Sequence, residues 1–388
     1  MKILFHCIYY PPEVGGLESH IAELARGLVE AGHEVRVITS RSQEGLPEEE
    51  VMDGVRVHRS WLPSRSPPGW IAYALRSGRM TREWAEWADV VHAQAFASVY
   101  PCHTAVRRTG RPLVATLHTS HFLIRARTRR WTPVLARLVR WPDYCLAASR
   151  EIAEVAESLA PGVQVEALTN GVDTERFRPV SPAFPRSGTE RRLVVPRRLF
   201  EKNGVEYFVR ALPLIRRHVS EVEALVVGDG PERETLEALA GELGVGDVVR
   251  FLGARPHDEM PAILSSGDVA VFPSLMEATS VAALECMACG LPVVATRVGG
   301  LPEIVDESVG RLVPPAHAEG LAQAAVELLE RADLAAMGAR ARQRVVQHWS
   351  NARLVARHVE IYRGLLAPDD EPTGEGLSQG SGGHAQAE

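Results

Sequence analysis

Lysine is nearly missing from this chain. Only Lys2 and Lys202 occur among its 388 residues, and the other basic side chains are arginines. In such a background an interior lysine marks a place where a compact ammonium is wanted rather than a planar guanidinium. Long apolar runs are missing too. Nothing reaches the roughly 18 to 20 residues that a bilayer span needs, and the stretch after Met1 and Lys2 has neither the apolar core nor the cleavage site of a signal peptide. A cytoplasmic protein is the expectation. The five cysteines, Cys7, Cys102, Cys145, Cys286 and Cys289, are scattered and odd in number, which argues against a disulfide framework. Cys286 and Cys289 form a C-x-x-C, but no second pair or neighbouring histidine completes a zinc site, so they read as small core residues at a helix end.

Charge of one sign is also lacking. The 43 basic and 49 acidic residues leave a net charge of -6, with 22 basic and 20 acidic residues in positions 1–180 against 21 and 29 in the remainder. Neither half has the strongly basic balance of a nucleic-acid-binding domain, so no nucleic-acid partner is expected. Hydrophobic residues make up 45% and charged residues 24%, as in an ordinary globular protein. At roughly 100 to 200 residues per domain, the length implies two domains, each with its own core.

The pattern along the chain fits that count. An apolar strand at Lys2 to Cys7, a turn-rich segment, an amphipathic helix from Leu17 to Glu30 closed by Gly32, and a strand at Glu34 to Thr39 make a parallel strand-helix-strand unit. Further strands are expected at Val55 to Arg59, Asp89 to His92, Leu113 to His118, Tyr144 to Ala148 and Val163 to Leu168. Pro179 to Thr189, with three prolines and no apolar periodicity, is the linker candidate. The alternation then restarts: Leu193 to Pro196, a helix from Val205 to His218, Ala224 to Val227, a helix from Glu232 to Leu243, Val248 to Leu252, Asp268 to Phe272, a helix from Ser280 to Ala288, Val293 to Ala295 and Arg311 to Val313. The fold class is α/β, with two doubly wound, Rossmann-like domains, 1–180 and 190–348, facing a cleft at the carboxyl ends of their strands. A last helix, 350–366, is expected to cross back to the first domain, and 367–388 reads as a disordered tail.

The densest chemistry lies in FPSLMEATSVAALECMACGLPVVAT, from Phe272 to Thr296. Glu277 falls on the loop after a strand, Ser280 can cap the following helix, and Glu285 comes one to two turns later, so both carboxylates are expected to face the cleft. The free amides at that helix start, around Ser280 and Val281, suit a diphosphate, while carboxylates accept hydrogen bonds from paired hydroxyls. In VVPRRLFEKNGVEYF, from Val194 to Phe208, a strand delivers arginine and lysine to its carboxyl end, where they can neutralise a phosphate leaving group. Arg197 and Arg198 are equal candidates there. Gly15 and Gly16 open a helix where backbone can approach a ligand, and His118 ends a strand at the cleft; His92 has less support. Between His121 and Trp141 six arginines, Arg125, Arg127, Arg129, Arg130, Arg137 and Arg140, occur without an acidic residue. Two readings stay open: a basic amphipathic helix on anionic lipid, or a solvated arginine face over a packed helix.

These motifs, in this order, resemble the retaining glycosyltransferases of the GT-B fold, specifically the nucleotide-sugar-dependent group called family 4. Glu277 and Glu285 match that family's E-x7-E signature, PPEVGGLESH its glycine loop, and NGVDTERFRP, VGDGPER and FLGARPHDEMP its remaining landmarks. The resemblance implies that Glu277 contacts the donor sugar, that Glu285 holds the ribose, that Gly16, Ser280 and Val281 border the donor, and that His118 lies beside the reacting sugar. It departs where Ala278, Thr279 and Ser280 replace the usual loop residues, and where Asn203 takes the place of the family's lysine, with Lys202 one residue earlier.

The function so implied is transfer of a sugar from a nucleotide diphosphate to an acceptor hydroxyl with retained anomeric configuration, with Arg198 and Lys202 on the diphosphate and His118 and Glu277 at the sugar. No metal or other cofactor is called for. The acceptor is a glycan, a lipid-linked molecule or a small molecule, and segment 121–141 offers a peripheral contact with the membrane inner face. Two other readings compete. A nucleotide-sugar-binding protein without activity would keep the phosphate contacts and lose Glu277 and His118. A dehydrogenase needs G-x-G-x-x-G after a strand, which neither PPEVGGLESH nor Gly228-Asp229-Gly230 supplies.

Overall fold

A computed structural model describes residues 1–13, 15–118, 120–186, 188–277 and 280–367. The first lobe holds eight strands: β1 (Lys2–His6), β2 (Glu34–Arg41), β3 (Glu49–Met52), β4 (Val55–Trp61), β5 (Val90–Gln94), β6 (Leu113–Leu117), β7 (Tyr144–Ala147) and β8 (Val165–Ala167). They form one sheet in the order β3-β4-β2-β1-β5-β6-β7-β8. The second lobe holds β9 (Arg191–Pro196), β10 (Val222–Val227), β11 (Val249–Gly253), β12 (Val269–Phe272), β13 (Val293–Thr296) and β14 (Gly310–Val313), ordered β11-β10-β9-β12-β13-β14. Both are parallel sheets of the Rossmann type, apart from β3, which pairs antiparallel with β4. That edge strand, Glu-Glu-Val-Met, has no apolar alternation and was invisible to periodicity.

The central strands are short apolar runs because helices cover both their faces. All five residues of β5 and of β6 are buried. One apolar layer on the first sheet gathers Leu4, Val91 and Leu113 under the helix Phe96–Thr109. The other gathers Ile3, Phe5 and Val37 under the helix Gly16–Glu30, which buries Ile21, Leu24, Ala25 and Leu28 at helical spacing and gives way to Gly32 at φ 83°. Strand order reverses between β1 and β5 in the first sheet and between β9 and β12 in the second. Those two reversals open a crevice at the carboxyl edge of each sheet, and the crevices face each other.

Two chain segments join the lobes. Residues around Val172 lead out and residues around Ser350 lead back, and the two run side by side: the Val172 amide donates to the Trp349 carbonyl and the Asn351 amide to the Val172 carbonyl, both at 2.9 Å. The helix Asn351–Leu366 then packs Leu354, Val355, Ile361 and Tyr362 into the first lobe's core. The proline-rich segment after Pro179 is laid along the second lobe, its Val180 and Phe184 amides held by the Ser265 and Ser266 hydroxyls. Residues 368–388, where a disordered tail is expected, lie outside the described residues. All five cysteines are free and buried; burial pushes the Cys289 thiol up to about 12 and that of Cys286 well above its ordinary value, which suits inert packing. No helix among the described residues is long and apolar enough to cross a membrane.

The first lobe's core carries an unusual load of imidazole. His6, His20, His92 and His118 are buried there, and His358 joins them from the last helix. Burial lowers all five, to about 3 for His6 and His118 and about 4 for His358. The folded state therefore keeps them neutral while the unfolded chain takes up protons below its ordinary value near 6.5, so stability is intact above that pH and falls as pH drops toward 4. Each such histidine costs about 1.4 kcal/mol per pH unit in that window. Melting temperature should hold between pH 7 and 8 and fall steeply from pH 6 to 4.5, with hydrogen exchange showing the first lobe opening before the second; a flat profile would show these imidazoles protonated within the fold.

Candidate active site

The site begins where β9 ends. After Pro196 the chain turns through Arg197, Arg198 and a single turn of helix at Glu201–Asn203, then enters the helix Val205–His218. Gly204, at φ 62°, makes the close approach between this loop and the one after β12: a Cβ there would lie 2.0 Å from the Pro273 carbonyl oxygen. The two loops are stitched further by the Leu275 and Met276 amides donating to the Lys202 carbonyl at 2.9 and 3.2 Å. Behind them Gly299, at φ 54°, allows contact with the backbone of Glu277, whose carbonyl oxygen would sit 1.8 Å from any Cβ.

Arg197 is the knot of this corner. Its guanidinium donates to Asn203 Oδ1 at 2.8 Å and Ser274 Oγ at 2.9 Å, and ion-pairs with Glu277 Oε2 at 2.6 Å. Asn203, in the place of the family's lysine, is buried and also donates to the Arg198 carbonyl at 2.6 Å. The asparagine thus supports the two arginines. Arg197, Arg198 and Asn203 all line the cavity; Arg197 is held by protein groups, whereas Arg198 is exposed and ion-paired with nothing among the described residues. The two arginines that the sequence left equal differ in their protein partners. Lys202 lines the same cavity, and burial together with Arg198 pushes its ammonium below the ordinary value while Glu277 pulls the other way. Burial lowers His121 on the opposite side of the same cavity, and the charges of Lys202 and Arg125 add to that.

The cavity between the lobes has a volume of about 510 Å³. On the second lobe Glu277, Ser280 and Val281 border it beside Arg198 and Lys202; Ser280 caps the helix Val281–Ala288, its hydroxyl accepting the Ala283 amide at 3.3 Å. Ala278 and Thr279 lie outside the described residues. On the first lobe Gly16 borders it at a helix N-terminus, with no atom within 4 Å of where a Cβ would stand, so backbone faces open cavity there. His118 closes the floor.

The structure goes against one sequence expectation and narrows two that were left open. Glu285 does not line the cavity. It lies one helical turn, about 6 Å, beyond Val281, where His257 from the loop after β11 covers it and donates to its Oε1 at 2.8 Å. His92 is a core residue, its two ring nitrogens on Tyr362 Oη and Thr116 Oγ1, each at 2.7 Å. The arginine-rich segment is two short helices, Ser120–Ala126 and Thr132–Arg140; the second packs Leu135, Leu138 and Val139 against the protein while Val134 stays exposed, which matches a solvated arginine face over a packed helix, one of the two readings left open.

Sequence reasoning missed Gln94, Glu13 and Arg65, all of which border the cavity. Gln94 Oε1 faces His118 Nε2 at 2.9 Å. Glu13 is held by the Ser42 hydroxyl at 2.6 Å and by Arg65, and these bonds keep its carboxyl below its usual range despite partial burial. It stands inside PPEVGGLESH, where the paired glycines drew the attention. Ala95 next to Gln94 sits at φ 102°, a strained setting for a residue with a Cβ and one common at functional sites.

His118 is fully buried and neutral, and its acceptor partner fixes the proton on Nε2, leaving Nδ1 as an acceptor with no partner among the described residues. It can orient a polar group but cannot serve as a cation near neutral pH. Nitrogen NMR of His118 should show the Nε2–H form unchanged from pH 8 to 5, and Gln94→Leu should mix the tautomers; titration of the wild-type ring near pH 6.5 would contradict this assignment.

Paired Rossmann-like sheets with a cationic crevice between them are the architecture of the GT-B glycosyltransferases, and the chain belongs to that family. A family model described as "Glycosyl transferases group 1" matches residues 190–331, and one described as "Glycosyltransferase Family 4" matches 14–176. The chain is 30% identical over 403 residues to the glycogen synthase of Mycobacterium tuberculosis, covering 96% of this chain and 97% of that one. It is 31% identical over 379 residues to a GDP-mannose-dependent alpha-(1-6)-phosphatidylinositol monomannoside mannosyltransferase of Mycolicibacterium smegmatis, covering 92% and 96%. In fold it is similar to the sucrose-phosphate synthase of Thermosynechococcus elongatus, with a TM-score of 0.81 at 23% identity over 94% of this chain and 98% of that one. It also resembles the HepE protein of Anabaena in complex with UDP and glucose, at 0.76 and 20%, covering 94% of this chain and all of that one.

Proposed function

We propose that this protein is a family 4 glycosyltransferase that moves a hexose from a nucleotide-diphosphate sugar to an acceptor hydroxyl with retention of anomeric configuration and without a metal ion. The observation that carries this reading is the charge at the second lobe's lip: Arg197, Arg198 and Lys202 meet one carboxylate, Glu277, beside the amide-rich start of the helix Val281–Ala288. An excess of fixed cations at a helix N-terminus favours a dianionic group. The solved HepE complexes contain UDP, glucose or UDP-glucose, which supports a nucleotide sugar here. His118 and Glu277 border the same cavity, which favours a transferase over a protein that only binds the donor.

With Arg198 and Lys202 on the diphosphate, the bond from the anomeric carbon to the phosphate oxygen breaks as negative charge grows on the leaving group. The acceptor hydroxyl enters on the same face, gives its proton to a departing phosphate oxygen, and forms the new glycosidic bond there. Glu277 accepts hydroxyls of the donor sugar, His118 orients it through a neutral ring, and Gly16, Ser280 and Val281 border the donor. The reaction takes place in the cytoplasm, with the arginines of 121–141 against the anionic inner face of the membrane.

Thermal stabilisation across UDP-, GDP- and ADP-sugars should single out one nucleotide class, and NMR of the product should show the donor's anomeric configuration in the presence of a chelator. Lys202→Ala and Glu277→Ala should each lower turnover by about 10²- to 10³-fold with unchanged circular dichroism. Full activity in either variant would remove its assigned role, an inverted product would exclude the same-face reaction, and stabilisation by no donor would exclude the donor reading.

A further inference from the structure

Beside the catalytic cavity the first lobe carries a second, apolar trough of about 180 Å³. The two share Trp70, Phe96 and Ala97 as a common wall, so the trough opens directly off the site where a sugar would be transferred. Its own wall is hydrocarbon. Ile71 and Leu75, from the helix Pro67–Trp87, are 61% and 68% exposed, and Tyr100 is 48% exposed. Large apolar side chains left this open next to an active site are a standing cost unless something covers them.

The rim specifies the kind of cover. Arg125 lies 4.6 Å from the Trp131 ring centre and 5.6 Å from that of Trp70, and so bridges trough and cavity. Arg127, Arg129, Arg130, Arg137 and Arg140 are exposed along the same segment. Among the described residues none of these six arginines is ion-paired, and no acidic residue stands between His121 and Trp141 to neutralise them. An uncovered hydrocarbon wall beside a continuous band of unneutralised guanidinium fits a molecule with an apolar chain and an anionic head lying in an anionic surface. Leu138 of the helix Thr132–Arg140 also lines the trough, so the hydrocarbon contact is shared among Ile71, Leu75, Tyr100 and Leu138.

We propose that this trough is the acceptor subsite for the hydrocarbon chain of a membrane lipid whose phosphate is met by Arg125 and its neighbours, placing the lipid's sugar or polyol hydroxyl in the cavity wall at Trp70. The proposal rests on the glycosyl-transfer reading and names its acceptor class. It is tested on the full chain with dodecyl phosphate carrying a terminal diazirine, photolysed and mapped by mass spectrometry. Saturable labelling should fall within 70–75, 96–100 and 124–138, be competed by unlabelled dodecyl phosphate but not by inorganic phosphate, and drop about tenfold in Ile71→Asn/Leu75→Asn. Stabilisation by nucleotide sugars should be unchanged in that variant. Labelling spread over other faces, unaltered labelling in the variant, or loss of labelling in step with self-association, which would mean a second copy covers the trough, would each overturn the proposal. Absence of nucleotide-sugar stabilisation with trough labelling intact would instead strike the donor reading, so the two failures are distinguishable.

Discussion

One guanidinium organises the second lobe's half of the site. Arg197 reaches Asn203 on its own loop, Ser274 at the end of β12 and Glu277 beyond it, so the two loops that flank the strand-order reversal are fixed to each other before any ligand arrives. An arginine braced at three points gives that carboxylate a defined position. Arg198 and Lys202 stand beside it, and the ammonium and the second guanidinium border a cavity whose other wall belongs to a separate sheet.

The first lobe is organised by burial instead of charge. His118 is held neutral on Gln94, while His92 beneath it is spent on Tyr362 and Thr116, which ties the returning helix to the strands under the cavity. The neutral imidazole of His118 on this side stands opposite a cationic lip.

Much of the architecture was legible because parallel strands between helices are short apolar runs and write themselves plainly into sequence. β5, β6, β9 and β12 lie within a residue or two of where the hydrophobic pattern puts them, and the helices Val205–His218 and Asn351–Leu366 end where their periodicity ends. β3 was not legible because an edge strand with one partner has no apolar signature. In the site, Glu277, Lys202 and His118 border one cavity, as their places at strand ends imply. Glu285 was misplaced because seven-residue spacing fixes a helix face but not what a neighbouring loop brings over it; His257 is distant in sequence. Gln94 was missed, and the bracing role of Asn203 was not foreseen, for a related reason. Their work is to hold other side chains, and amides that do so look in sequence like any polar residue near a turn.

The paired crossing at Val172 and Ser350 constrains how the molecule can breathe. A lone tether would let one half swivel about it in any direction, whereas two parallel tethers laced by main-chain bonds behave as a door on a pintle, free to swing about a single axis and resistant to twist. Any swing is then confined to that axis, so the loops after β9 and β12 keep meeting the same side of the first lobe.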